Sequence, residues 1–329
     1  MTFWNQFMDR WRKPEPLPDW AAFFSGPQYA RFRGLVEAYF HGKNQPYTWG
    51  DGVISLEPAE TGSVHQLGLV NLAQLCARND EREWGQIVQD HFRTLEKSQT
   101  EQKVLEQRLT EFERVADLLA VRLWPETYLG ELDQSRMIYR ADLPGTISAL
   151  VYDLPSSIRN VTPDEANGWG KKTDDLFRLA LDNVREICIP DVSEQDLGDG
   201  ITVMLLSDES FFVASHALML EEHEGCVGPF GALVGVPHRH VLLAYPIESL
   251  EVMQAIPRMI AVIAGMEREG PGSISSRIYW YQAGEFVDLP HRIEGETLHF
   301  SPPEAFVEMI NLLGEQDDEE DGEPVGDDE

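Results

Sequence analysis

His238-Arg239-His240 gathers two imidazoles and a guanidinium into three consecutive positions. Alternation along an extended strand sends His238 and His240 to one face and Arg239 to the other, so the two rings could hold a metal or trade a proton. A metal site needs a third and usually a fourth ligand, and no H-x-x-x-H, H-E-x-x-H or C-x-x-C accompanies the pair. The pattern predicts no metal and no cofactor. Ser215-His216, with His223 following, sets a hydroxyl beside an imidazole. Adjacent residues on a helix do not face one another, and no G-x-S-x-G elbow is present, so no catalytic residue is assigned. Ser215, His216, His238, Arg239 and His240 stand as candidates for a ligand site of an unfamiliar kind, should the strand and helix ends that carry them converge.

Other clusters read more simply. Gly225, Gly228, Gly231 and Gly235 match neither G-x-G-x-x-G nor a Walker loop, and Pro229 removes an N–H donor, which leaves a turn entering a strand. Asp174-Asp175 and Glu221-Glu222 read as solvated faces. Tyr279, Trp280, Tyr281 and Phe286 gather four aromatic rings, with Trp280 facing opposite to its tyrosine neighbours. One face can feed a core; the other would leave large amphipathic rings at a surface, which is the composition of a protein-recognition patch.

The elements that must position these groups are legible in outline. Phe3, Trp4, Phe7, Met8 and Trp11 line one side of a short amphipathic helix, and Pro14, Pro16 and Pro18 form a stiff connector, so residues 1–46 read as an N-terminal region that also holds a helix from about Gln28 to Tyr39. Residues 47–125 read as a mainly helical subdomain. It opens with a hairpin turned at Gly50-Asp51-Gly52, continues with helices marked by Leu67 to Leu75 and Trp84 to Leu95, and ends in a long helix from Glu101 through Leu123. Residues 126–314 read as an α+β domain. Its hairpins turn at Leu143-Pro144-Gly145-Thr146 and Ala283-Gly284, Thr162-Pro163-Asp164-Glu165 has capping-box spacing, and Thr173 is a second cap. Further strands are expected at Ile201 to Leu206 and Ala232 to Tyr245, and helices at Glu209 to Glu221, Ser249 to Met266 (kinked or restarted at Pro257) and Pro303 to Leu313. Strands joined by hairpins and by helices predict an α+β fold with a mixed or largely antiparallel sheet.

Trp169-Gly170, the run Asp175-Leu176-Phe177-Arg178-Leu179-Ala180-Leu181-Asp182-Asn183-Val184-Arg185, a strand ending near Asp208 and Val236-Pro237-His238-Arg239-His240-Val241-Leu242-Leu243 together resemble the YtpQ-like bacterial family. The segment from about Val53 to Leu95 is similar to that family's first half, so the likeness spans most of residues 50–300. Where the family carries an acid after the arginine of the proline-x-arginine strand, this chain has His240. The resemblance implies a cytoplasmic α+β protein and supplies no reaction, the family being a domain of unknown function.

Charge bounds the partners. Acids outnumber Lys plus Arg by 57 to 26, a formal net charge of −31, so the field of the chain repels phosphate backbones and anionic bilayers. Ten of those acids fall between Glu315 and Glu329, which reads as a disordered tail. No apolar run is long enough to span a membrane, Asp9, Arg10, Arg12 and Lys13 interrupt any secretory signal, and Cys76, Cys188 and Cys226 suit a reducing cytoplasm. These features point to a non-enzymatic acidic interaction protein, an adaptor, inhibitor or immunity-type factor, that binds a basic protein partner. The alternatives are an enzyme or small-ligand binder near Arg239, His240 and Ser215, and a nucleic-acid mimic. Oligomeric state is not legible.

Overall fold

The computed structural model describes residues 17–56, 65–130, 134–270, 272–295 and 297–321. The amphipathic helix expected at 3–12 lies outside them. The chain forms two compact units, Met1–Lys103 and Val104–Glu329.

In the first unit, helix α1 (Gly26–Gly42) starts at a capping box in which Ser25 and Gln28 satisfy each other's backbone N–H. Strands β1 (Tyr47–Trp49), β2 (Val53–Leu56) and β3 (His65–Gly68) form an antiparallel sheet, followed by α2 (Val70–Ala77) and α3 (Trp84–Glu106). Phe32, Val36 and Phe40 of α1 recur at helical spacing and meet Trp84, Val88 and Phe92 of α3 in one apolar cluster.

The second unit holds two larger antiparallel sheets. Strands β4 (Leu119–Pro125), β5 (Tyr139–Arg140), β6 (Thr146–Leu154) and β7 (Ser157–Asn160) form the first, with β6 paired to the other three. Helix α4 (Pro163–Trp169) carries the expected capping box between Thr162 and Glu165, and α5 (Thr173–Ile187) packs on β4. Strands β8 (Asp191–Asp196) and β9 (Thr202–Ser207) lead to a kinked 3-10 segment, Val213–Glu222. Strands β10 (Ala232–His238) and β11 (Val241–Pro246), helix α6 (Val252–Glu269), β12 (Ile278–Gln282), β13 (Glu285–Asp288), the hairpin β14 (His291–Glu294) and β15 (Thr297–Phe300), and helix α7 (Glu304–Asp321) complete it. The larger sheet has the order β13-β12-β10-β11-β9-β8. Its one face shares a core with α6 and α7; the other shares a core with β4, β6 and the 213–222 segment. The fold is α+β, as expected.

Several elements differ from expectation for identifiable reasons. The helix expected through Leu123 ends at Glu106, and Leu119–Pro125 is strand β4. Leu105 to Leu123 mimics helical spacing, but Leu119-Ala120-Val121-Arg122-Leu123 is buried at every position, as a strand covered on both faces requires. Leu67 lies in β3, ahead of its helix, and the strand that enters the Leu143–Thr146 turn is only Tyr139–Arg140. Thr173 is the first residue of α5 and supplies no cap; Lys172 holds that position. The single strand expected over Ala232 to Tyr245 is a hairpin, because the chain reverses at Arg239-His240 just after Pro237. Helix α6 continues through Pro257 without the restart that is one of the two expectations there. Strand β8, Asp-Val-Ser-Glu-Gln-Asp, carries no expectation from the sequence and is held by its ladder with β9. Helix α7 runs to Asp321, so the start of the acidic tail is helical and Gly322 onward lies outside the described residues.

Candidate functional site

The aromatic strand does not form the expected surface. Tyr279, Trp280 and Tyr281 are 0%, 4% and 6% exposed. Strand β12 sits between β10 and β13 with both faces covered, so the two tyrosines enter one core and Trp280 the other. Each polar tip is satisfied inside: Tyr279 donates to the Pro144 carbonyl at 2.9 Å, Trp280 to the Phe230 carbonyl at 3.0 Å and Tyr281 to the Glu221 carboxylate at 2.9 Å. Burial pushes both tyrosine hydroxyls up to about 12. Phe286, half-buried on β13, packs its ring against Tyr281 at 4.9 Å.

Ser215 and His216 point into different surroundings. The Ser215 hydroxyl donates to the Val121 carbonyl on β4 at 2.7 Å, fully buried. His216 Nε2 lies 3.0 Å from the Cys188 carbonyl and its Nδ1 lies 2.9 Å from His223 Nε2. A carbonyl can only accept, so His216 carries its proton on Nε2 and receives the His223 N–H at Nδ1. Burial, then the neighbouring His223, pushes His216 down to about 4. The pair is a neutral relay inside the fold.

The Arg239-His240 turn is built differently. His240 Nδ1 lies 3.0 Å from the Ser210 carbonyl, and Arg239 Nε donates to His240 Nε2 at 2.9 Å. The imidazole therefore donates from Nδ1, accepts at Nε2 and orients the guanidinium. His238 Nδ1 accepts the His240 backbone N–H at 3.3 Å, and burial, followed by the proximity of His240 and Arg239, lowers its proton affinity. Two glycines make room. A side chain on Gly270 would place its Cβ 2.0 Å from the His238 ring, and one on Gly272 would place it 2.9 Å from Arg239 Cδ. Arg239 in turn lies over the Phe211 ring at 4.4 Å. The same ring has a second cation 5.4 Å from its centre, Arg122 of β4, whose guanidinium lies 3.8 Å from the centre of the Trp124 ring. Ala214 N–H bonds the Arg239 carbonyl at 3.3 Å, so the start of the 213–222 segment ties Arg239 and, through Ser215, the neighbour of Arg122 to one short element.

Of the candidate ligand residues, the structure therefore brings Arg239, His240 and His238 together, sets Ser215 behind them as a buried tie, and sends His216 elsewhere. Arg122 carries no expectation from the sequence; the available signal is one arginine inside an otherwise apolar run. Among the described residues no group of three or more His, Cys, Asp or Glu is placed to hold a metal, and no helix is long and apolar enough to cross a membrane.

A second feature lies at the far edge of the larger sheet. Among the described residues strand β8 pairs with β9 on one side only, and all of its residues are exposed. It carries Asp191, Glu194 and Asp196, with Val192 exposed among them and Ile189, just ahead, 79% exposed.

No protein family, curated protein or solved structure matches this chain.

Proposed function

We propose that this chain is a non-enzymatic, acidic interaction protein that engages a basic protein partner along edge strand β8. The observation that carries the reading is an unpaired edge on which exposed apolar side chains, Ile189 and Val192, stand beside Asp191, Glu194 and Asp196. An open edge presents backbone N–H and C=O groups to any extended segment, and acids on it select the occupant. A second copy would bring the same acids opposite and be repelled, whereas a strand rich in Lys or Arg would gain both the ladder and the charge. The net charge of −31 speeds the encounter with such a partner. The Ser215 hydroxyl is buried and committed to the Val121 carbonyl, which supports a binding role over hydrolysis. Cytoplasmic residence belongs to the same proposal, supported by three buried free thiols, as does membership of the YtpQ-like family, supported by the 169–185 and 236–243 segments.

The test is affinity capture from the producing cell with two baits, the native chain and D191K/E194K/D196K. The native bait should retain a basic protein that the triple variant loses, and that protein, once purified, should protect the amides of 191–196 from hydrogen exchange. Equal recovery on both baits, or recovery with no protection of that strand, refutes the reading.

A further inference from the structure

Arg122 is 6% exposed, yet none of its nitrogens has a hydrogen-bond or ion-pair partner among the described residues, and its Nε is fully enclosed. The indole N–H of neighbouring Trp124 is also enclosed without an acceptor. Among the described residues Arg239 bonds the His240 ring through Nε, and its outer nitrogens meet no carboxylate. This is unusual within the molecule itself. Among the described residues the other arginines withdrawn from solvent, Arg33, Arg140, Arg159 and Arg258, each pair with a carboxylate. The other arginines without an ion pair, such as Arg78 and Arg108, are exposed.

Two like charges on one phenyl ring, inside a chain with more than two acids per base, are costly unless an anion joins them. Aromatic faces offset part of that cost but offer the N–H groups no acceptor. Burial lowers both guanidiniums, and the nearness of Arg239 lowers Arg122 further, to about 10, with no carboxylate acting against it. A general attraction for anions is not the reason for the cluster, because the surrounding field is negative. The charge is local and oriented, with Arg239 held by His240, its carbonyl by Ala214, and β4 by Ser215.

We infer that Arg122 and Arg239, with the Trp124 indole N–H, form a binding site for a small phosphate monoester. A dianion neutralises both guanidiniums, whereas a carboxylate would leave one charge over, and planar guanidinium forks match phosphate oxygens in pairs. Arg239 and Phe211, 41% exposed, are the accessible members of the cluster, and Arg122 is the buried one. The site shares no residue with β8, so the two readings stand or fall separately.

Calorimetric titration of the full chain with phenyl phosphate, with inorganic phosphate and with phosphatidic acid vesicles tests the inference, beside R239Q and R122M. The native chain should bind phenyl phosphate saturably. R239Q should weaken that by about tenfold or more, the equivalent of one charge-assisted bond, and R122M should abolish it. Both variants should keep native circular dichroism; if R122M does not fold, the R239Q comparison decides. Equal affinity in the native chain and R239Q, no binding of either small phosphate, or binding to vesicles alone would overturn it.

Discussion

The hydroxyl of Ser215 donates to the carbonyl of Val121 at 2.7 Å, one residue ahead of buried Arg122, while the N–H of Ala214 bonds the carbonyl of Arg239 at 3.3 Å. Two consecutive residues of one short segment thus tie down the strand and the turn that carry the paired arginines. S215A removes the first tie without creating a clash. It should cost about 1 kcal/mol, read as a lower urea midpoint at unchanged slope.

Arg122 should be destabilising in the ligand-free chain. Met has similar length, needs no acceptor and keeps the contact with Trp124, so R122M should raise stability by about 1–3 kcal/mol in phosphate-free buffer. Thermal unfolding of the two proteins side by side checks this, and a fall in stability would mean that the cation is satisfied where it sits.

His216 should make the fold acid-sensitive. Its folded proton affinity is about 4, below the ordinary histidine value of 6.5, so the neutral ring belongs to the folded state. Its contribution is complete above about pH 6.5 and is lost as pH falls toward 4, because the unfolded chain takes up a proton that the folded chain refuses. The full loss is about 3 kcal/mol. H216Q should be less stable at pH 7, having lost one relay bond, but its stability should fall less steeply between pH 6.5 and 4; denaturant midpoints across that range give the comparison.

Gly231 should tolerate no side chain. Its φ is +89°, and a Cβ there would lie 2.1 Å from the Tyr281 carbonyl oxygen. G231A should therefore push β12 away from β10 and cost about 3 kcal/mol or more, visible as a large drop in thermal midpoint.

What the sequence by itself determined is local. The Thr162/Glu165 capping box, the Pro144-Gly145 turn and the Ala283-Gly284 turn form as expected, because each is closed by residues within a few positions and needs nothing from the rest of the chain. The α+β class follows from the same local marks. Burial of Tyr279 and Tyr281 was not legible, since alternation shows that a strand has two faces and not whether each is covered. Nor was β8, a polar run that becomes strand only beside β9. The same holds for Arg122, whose ring and charge neighbours, Phe211 and Arg239, are distant in sequence and meet it only when the 213–222 segment packs on β4 and on the β10–β11 turn. Tertiary structure alone decided which polar groups were buried with partners and which without, because desolvation depends on what lies around a group in space and not on what precedes or follows it in the chain.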